Sequence, residues 1–443
     1  MEKSLKTQFR NYVVPSILAM WVFSFYTMVD GFFVANFVSQ KALAAVNLSL
    51  PFINTLFSVG ILFAVGTQTR IGILKGQDKK DQANCIFSFT FFTVLFVGIF
   101  LASFTLIFLE PLIHFLGASL EYHDMVKKYL GIVLFFAPFF MISYHLEILV
   151  KVDGFPRLAT FGVLSSCVVN ILLDYLFVGV FGWGLTGAAY ATGIAQITSA
   201  IIFTKHFLGG HSYLRFVKFP WNFSVYRQIL PVGFGDFLSE LSGAFVVLIY
   251  NLFLIKLLGY TSVAIFTVIN YISQFVLSTM VGITQGIQPL CSYYHGQRKP
   301  LHYRKIFHYA IISVGVFVLL LVGLLQLFPE MVFRLFFDGS EGAILHEGAL
   351  ALRRFSPGYL FSGYSLLIAG YHSSLGKAKE SITINLFQGF LSILLSLLLM
   401  SSFFPNDQIW WSYPLAQIFT LIVAILILIR SRRKTDLRYG LES

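Results

Sequence analysis

Asp30, Glu147, Asp174, Asp236 and Glu240 each stand inside a stretch of sequence that is otherwise apolar. A charge at the centre of a bilayer costs about 2.5–3.5 kcal/mol on insertion scales, so such residues face an interior cavity and handle ions, protons or a charged ligand. Asp30 lies in Phe-Tyr-Thr-Met-Val-Asp-Gly-Phe-Phe and has no basic residue within a few turns of its own helix. It reads as an ion- or proton-binding carboxylate, against the plainer alternative of a carboxyl bonded to its neighbours. Asn170 and Asp174 are spaced i, i+4, which puts them on one helix face. A carboxylate beside an amide carbonyl offers hard oxygen ligands for Na+, or a shared-proton site; the competing role is an interhelical hydrogen bond that fastens a bundle. Asp236 and Glu240 repeat that spacing just after Pro231 and Gly235. Glu240 is a turn deeper and is the better cavity residue, with Asp236 nearer water. Glu147 has Lys151 one turn on, which reads as an i, i+4 ion pair at a basic helix end rather than a transport residue.

The elements that carry these groups are membrane spans. The 443 residues are 57% hydrophobic and 12% charged, with a mean hydropathy of +0.78, whereas soluble domains average about 25% charged. Apolar runs long enough to span recur twelve times, near 12–35, 46–69, 86–109, 130–150, 158–180, 187–207, 229–254, 262–290, 306–328, 352–372, 382–403 and 409–429. The first is too long for a signal peptide and lacks a small-residue cleavage site, so it reads as a retained helix. With both termini cytoplasmic, only Lys41, Lys127, Lys128, Lys256, Arg334, Arg353 and Arg354 of the 31 Lys and Arg fall outside. That is the bias of the positive-inside rule, loop by loop. The net charge of +11 is therefore a topology signal and needs no nucleic acid to explain it. Cys85, Cys167 and Cys291 form neither a disulfide framework nor a thiolate metal site. Aromatics make up 17% of the chain, enough to supply cation–π contacts to planar cargo.

The chain also repeats itself. Gly66, Gln68, Gly76 and Gln77 recur at an offset of 220 as Gly286, Gln288, Gly296 and Gln297, each set leading into a basic loop. A second echo pairs Asp153-Gly154-Phe155-Pro156-Arg157 with Leu375-Gly376-Lys377-Ala378-Lys379. Two longer outer loops, about 110–129 and 329–351, follow the third and ninth spans. Six spans per half give both halves one orientation, a parallel repeat with a cleft between two bundles. The expected architecture is an all-α polytopic membrane protein with twelve transmembrane helices in two pseudo-symmetric six-helix lobes around a central cavity. Residues 1–207 form the first lobe, 208–228 a cytoplasmic linker, 229–430 the second lobe and 431–443 a basic tail.

These motifs in order resemble the multidrug and toxic compound extrusion (MATE) transporters, over nearly the whole chain. The resemblance rests on Asp30-Gly31-Phe32-Phe33-Val34 with Ala42-Leu43-Ala44-Ala45-Val46 and Pro51, and on Asp153-Gly154 with Pro156-Arg157, Asn170 and Asp174. It continues through Gly182-Trp183-Gly184, Gly187-Ala188-Ala189, Gln285-Gly286-Ile287-Gln288-Pro289 with Tyr294 and Gly296, and Leu375-Gly376-Lys377-Ala378. The resemblance implies a plasma-membrane antiporter, not an enzyme. It would act as a monomer, export organic cations or amphipathic drugs by alternating access, and carry no cofactor beyond a coupling H+ or Na+. It also implies an N-lobe proton or Na+ site of Asp30, Asn170, Asp174 and Thr192. Glu240, with Asp236 beside it, would be the acid of the seventh helix, and Gln68, Gln285, Gln288 and Pro289 would belong to the cavity motifs. No acid stands on the tenth span, so a C-lobe ion site resting on one is not expected.

Two other readings compete. A flippase for lipid-linked sugars would keep the fold but want a cationic cavity for phosphate, and the intramembrane charges here are acidic. Gly233-Phe234-Gly235-Asp236 matches the Gly-x-Gly-Asp of intramembrane aspartyl proteases, with Asp174 as second acid; a protease has no need of a duplicated half.

Overall fold

A computed structural model describes residues 4–117, 119–336 and 342–439. Lys3, the loop tip 337–341 and the tail end 440–443 lie outside the described residues. The apolar runs are helical, because a bilayer leaves backbone N–H and C=O groups no partner but each other. The spanning helices are α1 Leu5–Val38, α2 Gln40–Gly76, α3 Lys80–Ile107, α4 Leu120–Asp153, α5 Pro156–Val180, α6 Gly184–Leu208, α7 Ser224–Leu258, α8 Tyr260–Gly296, α9 Pro300–Leu327, α10 Gly358–Ser374, α11 Ala378–Phe403 and α12 Asn406–Leu437. Among the described residues there is no strand. Eleven of these helices are long and apolar enough to cross a membrane unaided. The twelfth, α10, has only 17 residues.

The tenth span differs from the run expected at 352–372. Pro357 lacks an N–H and breaks the chain there, so Leu352–Phe355 ends a separate helix, Gly342–Phe355. That helix carries Arg354, which pairs with Asp407 at 3.0 Å. The last helix runs to Tyr439, so the described part of the basic tail is helical.

Gly154 (φ 117°) and Gly376 (φ 70°) end α4 and α10 in left-handed conformations, so the second sequence echo is a repeated helix stop. Asp153, just before the first stop, is buried and accepts from Ser212 Oγ (3.0 Å) and Leu214 N (2.9 Å). His206 Nε2 lies 2.8 Å from it. The linker is thereby tied to the first lobe.

The lobes meet on the basic side. Gln68 Nε2 donates to Gln288 Oε1 at 3.3 Å. A Cβ on Gly76 would fall 2.1 Å from the Tyr293 carbonyl oxygen, and one on Gly296 would fall 2.2 Å from that of Ile73. Only glycine permits this backbone approach of α2 to α8. Trp21 Nε1 donates to Thr279 Oγ1 (2.8 Å), joining α1 to α8. Farther along α1, a Cβ on Gly31 would meet only Leu43 of its own lobe. Glu240 and Gly243 in the middle of α7 are exposed, and nothing lies within 4 Å of a Cβ placed on Gly243. A cleft opens there.

Candidate functional site

Four helices bring one cluster together in the first lobe. α1 supplies Asp30 and, one turn earlier, Tyr26; α5 supplies Asn170 and Asp174; α6 supplies Thr192; α4 supplies Tyr129. Asn170 and Asp174 are 0% exposed. Asn170 Nδ2 donates to Thr192 Oγ1 at 3.4 Å, and the Tyr26 hydroxyl lies close enough to Thr192 to interact with it. Asp30 lies within electrostatic reach of Asp174, and Tyr26 and Tyr129 sense both carboxylates. Asp30 Oδ1, Asn170 Oδ1 and both carboxylate oxygens of Asp174 are buried without a hydrogen-bond donor. Buried acceptors of this kind are costly when left bare, and two buried carboxylates more so. The cluster therefore has the chemistry of a proton or cation site: two carboxyl groups beside an amide and a hydroxyl, with no basic side chain bonded to it among the described residues. α1 and α5 each pass into a π-helical turn beside the cluster, at Val34–Val38 and Tyr175–Val180. Such turns are frequent at functional sites.

Among its described residues the second lobe has no counterpart. Tyr250 and Ser412, each 220 residues after Asp30 and Thr192, bond to each other at 2.8 Å. Tyr250 stacks on Phe266 with centroids 5.0 Å apart, and Phe355 stacks on Tyr413 at 4.2 Å. Aromatic rings fill the space that acids line in the first lobe.

The cleft acids divide by environment. Asp236 accepts from Ser373 Oγ at 3.0 Å and lies within electrostatic reach of Gln288. It was expected to be an end residue near water; it is instead half-buried and hydrogen-bonded into the second lobe. Glu240 is exposed one turn further along. Tyr144, on α4 of the other lobe, is within electrostatic reach of Glu240, Asp236 and Glu147. Asp236 and Glu240 thus face the interlobe space. Gln285 reaches the first lobe, donating to the Tyr144 hydroxyl at 3.2 Å. Pro289 is buried one turn beyond Gln285 inside α8. The pair of Glu147 with Lys151 is present at 2.8 Å, but Lys151, read from sequence as a loop cation, is only 1% exposed and lies at the lobe interface. Asp174 and Asp236 stand in different lobes, on α5 and α7, and form no catalytic dyad.

Sequence reasoning missed Tyr26, Tyr129 and Tyr144. Tyr26 was legible, since it precedes Asp30 by one helical turn. The other two lie on α4, whose packing against α2 and α6 no local spacing reveals.

A profile of the MatE family matches residues 15–176 and again 237–398, one match per lobe. The multidrug export protein MepA of Staphylococcus aureus is 25% identical over 431 residues, covering 96% of this chain and 94% of that protein. MepA of Staphylococcus saprophyticus is 25% identical over 435 residues. Among solved structures, an outward-facing multidrug resistance MATE transporter of the MOP superfamily superposes with a TM-score of 0.91 at 20% identity, covering 98% of this chain and 97% of that one. A MOP superfamily transporter from Pyrococcus furiosus, described by a reversed polarity of its binding pocket, gives 0.90 at 20% identity, with 98% of this chain and 96% of that chain covered.

Proposed function

The chain belongs to the MatE family, a family of transporters and not of enzymes, and on that premise we propose that it is a multidrug exporter driven by inward flow of H+ or Na+. The observation that carries the coupling is the set of unpartnered oxygens on Asp30, Asn170 and Asp174. A proton or Na+ held there would take oxygen ligands from α1 and α5, with Thr192 on α6 alongside. Binding in the first lobe would pull these helices together. A ligand shifts a conformational equilibrium only by its differential affinity for the two states, and the two carboxylates give a cation that differential. The cargo is an organic cation or amphipathic drug in the interlobe cleft, facing Glu240 and Asp236. The lobes, closed here on the basic side, would rock between outward- and inward-open states, with the basic side cytoplasmic. The MepA relatives are named for multidrug export, in keeping with this cargo. Phosphate-bearing cargo would meet these cleft acids, which disfavours a lipid-linked sugar.

The test is ethidium efflux from proteoliposomes under a H+ gradient or a Na+ gradient, imposed one at a time. Efflux driven by one gradient and abolished by Asp174→Asn supports the reading. Equal efflux with neither gradient overturns it.

A further inference from the structure

The basic-side seal between the lobes contains a buried ion pair, Lys151 with Glu147. Lys151 Nζ donates to Glu147 Oε1 at 2.8 Å, within α4, and to Gln285 Oε1 at 3.2 Å, on α8 of the other lobe. The amide of Gln285 is held at both ends, because its Nε2 donates to the Tyr144 hydroxyl, also on α4. One turn along α8, Gln288 meets Gln68. The charged pair is confined to one lobe, and the bond that crosses between lobes has a neutral partner. Separating the lobes therefore strands no ion: Lys151 keeps Glu147, and Gln285 passes to water. A charge-to-charge bond across the same gap would be far harder to part, since removing one partner of a buried ion pair is strongly unfavourable.

We propose that Lys151, with Glu147 as its fixed counter-ion, is the latch of the basic-side seal: it grips Gln285 and sets how often the lobes part on that side. Lys151 is a positioning residue here, remote from the Asp30–Asp174 cluster. The proposal rests on the rocking motion proposed above, so its test reads the motion directly and without an ion gradient.

Spin labels at Lys79 and Lys299, both exposed at the basic ends of α2 and α8, report the opening by pulsed distance measurement. The full chain is placed in lipid nanodiscs with Cys85, Cys167 and Cys291 replaced by alanine. Gln285→Leu removes the two bonds that Gln285 makes to α4 and leaves the ion pair whole. It is expected to raise the ratio of separated to closed lobes about tenfold, the worth of a hydrogen bond to a charged group. The double variant Lys151→Met with Glu147→Met removes the latch without leaving a bare charge and should shift the ratio in the same direction. Gln285→Glu turns the neutral bond into an ion pair across the lobes and should narrow the distribution to the closed distance. The opposite sign separates a latch from general damage to the seal. If the wild type opens on adding ethidium while none of these variants moves the ratio, the latch is wrong and rocking stands. If every sample, wild type with ethidium included, stays at one distance, both fall.

Discussion

Gln68 and Gln288, 220 residues apart in the chain, hydrogen-bond to each other at 3.3 Å. Each is the other's equivalent under the internal repeat, so their bond lies on the pseudo-two-fold axis that relates the lobes. Around it the pairing of Gly76 with the α8 backbone and of Gly296 with the α2 backbone is reciprocal. The duplication is thus a contact as well as a pattern. Where the lobes touch they are alike; at Asp30 and its equivalent Tyr250 they are not.

Asp30→Asn and Asp174→Asn are expected to insert and fold but to lose gradient-driven efflux. Neutral amides keep the volume and remove the charge that a proton or cation would answer. Ethidium export from proteoliposomes should fall to that of empty vesicles, with unchanged elution from a size-exclusion column. Wild-type rates in both variants would refute the N-lobe site.

Thr192→Val removes the hydroxyl that receives Asn170 Nδ2 and lies close to Tyr26. Losing one such hydrogen bond is worth about 1 kcal/mol. The concentration of coupling ion that gives half-maximal efflux should rise roughly fivefold, while the maximal rate holds. A drop in maximal rate alone would place Thr192 outside the site.

Tyr250→Phe tests the asymmetry of the lobes. It strips the bond to Ser412 and leaves that hydroxyl buried without its partner. Stability should fall by about 1 kcal/mol, seen as a lower unfolding temperature in detergent, and the ion dependence of efflux should not change. A shifted ion dependence would reveal a second coupling site.

Gly76→Ala puts a methyl group 2.1 Å from the Tyr293 carbonyl oxygen. The clash is with backbone, which cannot rotate away, so a loss of about 1–3 kcal/mol is expected. Gly243→Ala is the control, since its Cβ meets open space. Thermal unfolding of the two variants side by side measures the difference; equal midpoints would deny the close crossing of α2 and α8.

Much of this molecule is written in the one-dimensional chain. Apolar length, the alternation of Lys and Arg between loops and the 220-residue echo determined twelve helices in two lobes of like orientation, because bilayer thickness and backbone hydrogen bonding leave few alternatives. The i, i+4 spacing of Asn170 and Asp174 determined their shared face. Folding alone decided what those faces meet. Tyr129 reaches the cluster because α4 packs against α6, which carries Thr192. Lys151 leaves the basic loop for the interface because Gln285 awaits it 134 residues away. Asp236 is fixed by Ser373 on α10 while Glu240, one turn off, is left in the open cleft. Local spacing places a side chain on its own helix; only the packing of helix on helix, set by distant small residues such as Gly76 and Gly296, gives it partners.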